Sequence, residues 1–221
     1  LDGHARLAAA IAAVGAVPAI QLAHSGRKGS RLPAWDTAPA VPGWEALAPS
    51  AEAFGGYATP RAMSEAEIEA VLAATVAAGA RAAYALVELH AAHGYLLHQF
   101  LSPLSNRRAD GWGGGFDGRT RIVREAMGRL RAALPAEVAL GVRLSHTDWV
   151  EGGWTTEETV ELARRLKPDA DFVDVTSGGL DARQQIPIGP GYQLPGAEAV
   201  RRGAEIPVMA VGLITEPAQA E

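Results

Sequence analysis

Short, nearly continuous apolar runs alternate along the chain with longer segments in which apolar residues recur every three or four positions. The runs predict buried strands over Val17–Leu22, Ala82–Leu89, Val138–Leu144, Asp171–Val175 and Pro207–Val211. The periodic segments predict helices over Leu1–Gly15, Ser64–Gly79, Asp117–Leu134, Thr155–Leu166 and Pro195–Gly203. Two of these starts carry their own signal: Ser64 with Glu67, and Thr155 with Glu158, have the spacing of a capping box. Strand–helix alternation of this kind specifies a parallel sheet, because parallel neighbours need a helical crossover between them.

Two parallel architectures compete. A dinucleotide-binding sheet requires a Gly-rich fingerprint directly after its first strand, and Ala23-His-Ser-Gly-Arg-Lys-Gly-Ser30 lacks that spacing. A (β/α)8 TIM barrel instead gathers functional side chains at the C-terminal ends of several strands. Gln21, His90, Arg143, Ser177 and Gly212 stand at or just after the five predicted strand ends. The expected class is therefore α/β, a TIM barrel. A closed barrel needs eight strands and about 250 residues. The expectation is a single domain over residues 1–221, incomplete at both ends, whose other strands come from chain before Leu1 and after Glu221 or from a partner chain. Between the first strand and the second helix, Arg31–Pro60 carries Pro33, Pro39, Pro42, Pro49 and Pro60 with Trp35 and Trp44, which predicts a packed excursion loop.

Composition narrows the functional classes. With 48% hydrophobic residues in 221, the chain can bury a sizeable core. A net charge of −5 without a basic cluster argues against a nucleic-acid surface. No apolar run approaches the roughly 18 residues that would span a bilayer. No secretory signal is seen, although the chain begins at Leu1, so a cytoplasmic protein is expected, and the exposed sheet edges suggest a homo-oligomer. Zero cysteines exclude disulfides, iron–sulfur ligation and thiol catalysis within this stretch.

The chemistry concentrates in Glu88-Leu-His-Ala-Ala-His-Gly-Tyr95, where Gly94 breaks an apolar run and leaves His90, His93 and Tyr95 beyond a strand end. Two imidazoles three residues apart can place two hydrogen-bond donors on one oxygen, with a phenol nearby as proton source. A metal site is not expected: the zinc-protease signature has its histidines four apart with a Glu between them, and here alanines intervene. His4 and His98 read as hydrogen-bonded packing residues.

The run HAAHGYLLHQFLSPLSNRRADGWGG resembles the hallmark segment of the Old Yellow Enzyme family of FMN-dependent ene-reductases, in its bacterial branch with paired histidines. The similarity extends through QLAHSGRK, APSA, VRLSHTDW, VTSGG and AVGLIT, in the order of that family's third to seventh barrel strands. The resemblance implies FMN as cofactor and NADPH or NADH as reductant. Gln21 would hydrogen-bond the pyrimidine edge of the flavin, and Arg143 would sit near its N1 and C2 side. Ser177 and Gly212 would contact the phosphate or ribityl chain. His90 and His93 would grip the carbonyl oxygen of an enone or enal substrate, and Tyr95 would protonate its α-carbon. Arg108, Asp110 and Gly113–Gly115 would be scaffold, Arg119 would pair locally, and Ser50 and His24 would support the site.

Three positions depart from the family pattern: Gly118 stands where Asn is usual, Ala85 replaces an Asp, and His146 replaces a small residue near the cofactor face. Three other readings stay open. The chain could be the barrel core of a larger iron–sulfur flavoenzyme such as a dienoyl-thioester reductase, or a non-catalytic barrel fragment needing a partner chain. It could also be an unrelated sugar-phosphate enzyme with His90 as base, which the long motif disfavours.

Overall fold

In the computed structural model, residues 2–30, 44–81 and 83–221 are described. The element order is α1 (Asp2–Ala13), β1 (Ala19–Leu22), a 3-10 turn (Gly26–Lys28), β2 (Leu47–Ala48), β3 (Arg61–Ala62), α2 (Glu65–Arg81), β4 (Leu86–Ala91), α3 (Leu96–Leu101), α4 (Phe116–Ala133), β5 (Ala139–Ser145), α5 (Thr156–Leu166), β6 (Phe172–Thr176), α6 (Leu194–Ala204), β7 (Val208–Ala210) and α7 (Pro217–Ala220). Among the described residues, the main sheet has five parallel strands in the order β1-β4-β5-β6-β7. Sequential strands are neighbours, each joined to the next by a crossover that includes a helix. This is the winding of a (β/α)8 barrel, open along β1 and β7.

The two faces of the sheet differ for a reason visible in β4. Val87, Leu89 and Ala91 point outward into a core with Ile68 and Leu72 of α2 and Ile122, Val123, Met127 and Leu130 of α4. Leu140, Val142 and Leu144 of β5, Val173 and Val175 of β6, and Leu162 and Leu166 of α5 continue it. Each fully buried aliphatic side chain contributes about 1.5–3 kcal/mol relative to exposure. Glu88 and His90 alternate with these residues and so face inward. The sheet is therefore apolar towards its helices and polar within.

Both predicted capping boxes form. Glu158 N–H donates to Thr155 Oγ1 while Thr155 N–H donates to Glu158 Oε2, and Ser64 and Glu67 exchange the same pair of bonds. Boundaries moved most at β4, which runs through His90 to Ala91; its predicted start, Ala82, lies outside the described residues. Besides the 3-10 turn and α7, which the sequence pattern does not predict, two regions differ from expectation. Residues 47–48 and 61–62 form a short parallel pair within what reads as loop. Leu96–Leu101, inside the histidine motif, is a helix buried on all sides. Local periodicity could not reveal α3, because it is only six residues long and its polar residues, His98 and Gln99, are buried with the rest, leaving no solvent-facing stripe to mark a period. Of the excursion loop, residues 31–43, with Pro33, Trp35, Pro39 and Pro42, lie outside the described residues.

A fully buried polar knot fastens α3 to the sheet. Asp148 Oδ2 accepts from Ser102 Oγ at 2.6 Å and from Trp154 N at 2.7 Å. Its Oδ1 lies 2.9 Å from His98 Nε2, at contact distance but off the line of an ideal N–H donation. Gly94 N–H donates to His98 Nδ1 at 2.9 Å, so that nitrogen accepts and the ring carries its proton on Nε2, towards Asp148. His98 is thus the hydrogen-bonded packing residue the sequence suggests. Asp148→Ala leaves three polar groups unmatched in a dry site, and is expected to lower the unfolding free energy by about 3 kcal/mol, read as a shift in the urea midpoint.

Candidate active site

Strand register assembles the site. His90 is the partner of Arg143, Arg143 of Asp174, and Gln21 of Glu88, all on the inner face. Gln21 Nε2 donates to Glu88 Oε1. Arg143 Nε lies 3.2 Å from Asp174 Oδ2, an ion-pair distance without hydrogen-bond alignment. Past the end of β4, the chain turns back so that the His90 ring stands 5.2 Å from His93 and 5.4 Å from Tyr95, centroid to centroid. The sequence-derived trio and the Gln21–Arg143 pair therefore share one rim and one face.

The turn is held by unusual backbone geometry. His93 has φ of +57° and Gly94 +69°, in the left-handed region that a β-carbon disfavours. A Cβ on Gly94 would stand 2.2 Å from Gly179 O, and one on Gly179 would stand 2.5 Å from His93 Cα. Only glycines permit the two turns to touch. Three contacts hold His93 there. Its N–H donates to Ser145 Oγ at 3.0 Å, its Nε2 lies 2.9 Å from Thr176 Oγ1, and its carbonyl accepts from Lys28 Nζ at 2.8 Å. Lys28 also donates to Gly179 O, from above the Phe54 ring. From the other side, Gln99 Nε2 donates to Gly94 O at 2.7 Å.

Burial controls the charges. It pushes His90 down to about 4, helped by the positive charge of Arg143 and by His98. Burial likewise takes His93 to about 3, with His90, Arg143, His98 and Lys28 acting the same way. Both imidazoles are neutral at pH 7, and His90 Nδ1 is buried without a hydrogen-bond partner. Desolvation brings Lys28 to about 8, aided by Arg27. It also raises Glu88 and Asp174, a rise that Gln21 and Arg143 oppose for the first and Arg143 for the second. A cavity of about 360 Å³ between β1, α2 and α3 reaches Gln21 and His90 from the helix side.

Other expectations are met unevenly. Ser177 donates its hydroxyl to Gln193 Oε1 at 2.7 Å, and Gly212 has φ of +126° beside the Gln193 side chain. Arg108 is scaffold: it binds Asp110 and donates to the carbonyls of Pro49 and Met63. Arg119 pairs locally, its Nε donating to the Gly114 carbonyl at 3.3 Å, and it also reaches Glu158 and the Leu101 carbonyl. His146 is turned away from the inner face, its ring against Gly196 and 2.9 Å from Thr156 Oγ1, because it directly follows β5 and takes the parity opposite to Arg143 and Ser145. Sequence reading missed Lys28, Thr176, Asp174 and Gln193. Of these, only Asp174 carried a signal, as a charged residue inside an apolar strand.

The whole chain, residues 1–221, matches the profile of the NADH:flavin oxidoreductase / NADH oxidase family. The chain belongs to that family. It is 42% identical over 212 residues to an NADPH dehydrogenase of Geobacillus thermodenitrificans, an alignment covering 94% of this chain and 58% of that protein. The chain thus spans little more than half the length of such relatives. In structure it resembles a 2-naphthoyl-CoA reductase, with a TM-score of 0.85 at 28% identity over 99% of this chain and 36% of the other. It also resembles the Old Yellow Enzyme homologue of Zymomonas mobilis, with a TM-score of 0.75 at 25% identity over 99% of this chain and 63% of the other. The five strand–helix units are thereby part of a TIM barrel. Among the described residues, no helix is long and apolar enough to cross a membrane.

The buried imidazoles give the fold an acid limit. Between the ordinary histidine value of 6.5 and about 4, the unfolded chain binds protons that folded His146 and His90 do not, and for His93 the window reaches about 3. Stability therefore falls as pH drops through this window, His146 alone accounting for on the order of 3 kcal/mol. The melting temperature is expected to decline from pH 7 to pH 4, and His146→Gln to flatten that limb in a pH series of thermal melts.

Proposed function

We propose that the protein is an FMN-dependent ene-reductase, recharged by NADPH or NADH, that reduces the carbon–carbon double bond of α,β-unsaturated carbonyl compounds. The observation that carries this reading is the convergence of His90, His93, Tyr95, Gln21 and Arg143 on one inner face. The residues fit a flavin. A reversible amide, a permanent cation and a buried unpartnered imidazole nitrogen line the same face, and φ at Gly212 keeps a strand end free of side chain. FMN, when bound, accepts hydride from the nicotinamide and delivers it to the substrate β-carbon.

Gln21 would hold the pyrimidine edge, since its amide can donate and accept, and Arg143 would hold the N1 and C2 side, where its charge suits an anionic reduced ring. Ser177 and Gly212 would meet the ribityl or phosphate end through backbone, because the Ser177 hydroxyl is already given to Gln193. His90 and His93 donate to the carbonyl oxygen of the substrate, stabilising the enolate charge that grows there as the β-carbon takes up hydride. Their neutrality matters: a neutral donor polarises the carbonyl without giving up its proton at the wrong atom. Tyr95 then transfers its phenolic proton to the α-carbon. Lys28 Nζ lies 5.5 Å from the Tyr95 ring centroid, a positive charge beside the phenolate that this transfer leaves.

A second reading has one observation in its favour. The TM-score of 0.85 with 2-naphthoyl-CoA reductase favours a thioester substrate in a longer flavoenzyme. Comparing turnover of cyclohexenone with that of an enoyl thioester separates the two.

The purified protein is expected to absorb in the blue, to be bleached by anaerobic NADPH or NADH, and to recover on addition of cyclohexenone. The His90→Ala, His93→Ala variant should keep its flavin and lose about 100-fold or more in turnover, the scale of a removed oxyanion donor. Tyr95→Phe should slow recovery of the flavin colour by about 100-fold while leaving bleaching unchanged. Undiminished turnover in the double histidine variant would overturn the assignment.

A further inference from the structure

We propose that Gln193 is a positioning residue that sets the tautomer of His93 through Thr176, keeping His93 a hydrogen-bond donor on the edge that faces the barrel interior. The role of His93 towards substrate rests on the reading above; the hydrogen-bond chain does not.

Gln193 is 3% exposed and stands immediately before α6. Its side-chain carbonyl accepts from two hydroxyls, Thr176 Oγ1 at 3.0 Å and Ser177 Oγ at 2.7 Å. A hydroxyl has one proton. Thr176 has given its proton to Gln193, so at its other contact, 2.9 Å from His93 Nε2, it accepts. The donor in that contact is therefore His93 Nε2–H, and Nδ1 carries the lone pair. A threonine alone makes no such choice, since it can donate or accept, and a neutral imidazole takes either tautomer.

The direction of the bond has a consequence for binding. Thr176 shares inward parity with Phe172 and Asp174, and its register partner is Ser145, so the His93 edge it meets is the one at the rim of the inner face. His93 has no second ring proton, so a carbonyl oxygen arriving at that edge shares the Nε2–H with Thr176 Oγ1 in a three-centre hydrogen bond. If Thr176 lost its acceptor, its hydroxyl could turn and donate to His93 Nε2, and the same edge would present a lone pair against a lone pair. Gly212 belongs to this arrangement: a Cβ there would come within 3.3 Å of Gln193 Cβ and Cγ. The end of β7 thus leaves the space in which the Gln193 side chain lies.

The test is made on flavin-loaded protein labelled with 15N-histidine, in which the two neutral tautomers have distinct ring-nitrogen shifts. Wild-type His93 is expected as the Nε2–H form. Gln193→Glu, which keeps an acceptor, should preserve it. Gln193→Met and Thr176→Val should mix in the Nδ1–H form, and Gln193→Met should raise KM for cyclohexenone about tenfold, the scale of one lost hydrogen bond, with unchanged bleaching by NADPH. Wild-type His93 in the Nδ1–H form, or Gln193→Met leaving the tautomer as it was, would overturn the proposal. Should the tautomer respond while no variant, nor the wild type, reduces cyclohexenone, the positioning role stands and the ene-reductase reading fails. Normal turnover with an unresponsive tautomer gives the converse.

Discussion

Two backbone turns touch in this protein, one after β4 and one after β6, and the placement of His93 against the residues that strand register brings together follows from that contact. Gly94 and Gly179 approach so closely that neither tolerates a β-carbon. The approach forces His93 into a left-handed conformation that costs on the order of 1–2 kcal/mol for a residue with a side chain. Ser145, Thr176 and Lys28 hold it there by its amide, its ring and its carbonyl. The three come from different strands and loops, so the histidine turn is determined by the whole rim and not by its own sequence.

Electrostatics follows from the same closure. The interior carries two carboxylates, one guanidinium and two imidazoles within a few residues of each other, mostly withdrawn from water. Each charge is disfavoured by burial and restored by a neighbour: Gln21 for Glu88, Arg143 for Asp174. The imidazoles have no carboxylate against them and lie near Arg143, so they remain neutral. Neutral donors beside a permanent cation suit a site in which negative charge develops on a ligand. The arrangement also explains why lowering the pH should strain the fold before it improves any acid catalyst.

The scaffold behind the site does two separate jobs. The outer core, built from alternate residues of the strands and one face of each helix, fixes strand register. The polar knot around Asp148 fixes α3, and through His98 and Gln99 it grips the turn from behind. Lys28 and Arg27 do the same from the front, Arg27 donating to three loop carbonyls at Glu52, Ala53 and Leu180. The turn is thus clamped between two sets of polar contacts whose owners lie far apart along the chain.

Much of this was written in the sequence by itself. Apolar runs and helical periodicity located the five strands of the main sheet and the helices that cross between them, because burial on both faces and on one face leave different spacings. The capping boxes were legible for the same local reason. The histidine motif singled out His90, His93 and Tyr95, and their place at strand ends together with the family resemblance singled out Gln21 and Arg143. What lay beyond the sequence was every relation fixed by contact between distant segments. The burial of α3, the outward turn of His146, the reach of Arg119 to Glu158, and the partnerships of Lys28, Thr176 and Gln193 with His93 depend on which surfaces meet. Local composition decides what a residue can do, and only the packed chain decides which partner it does it with.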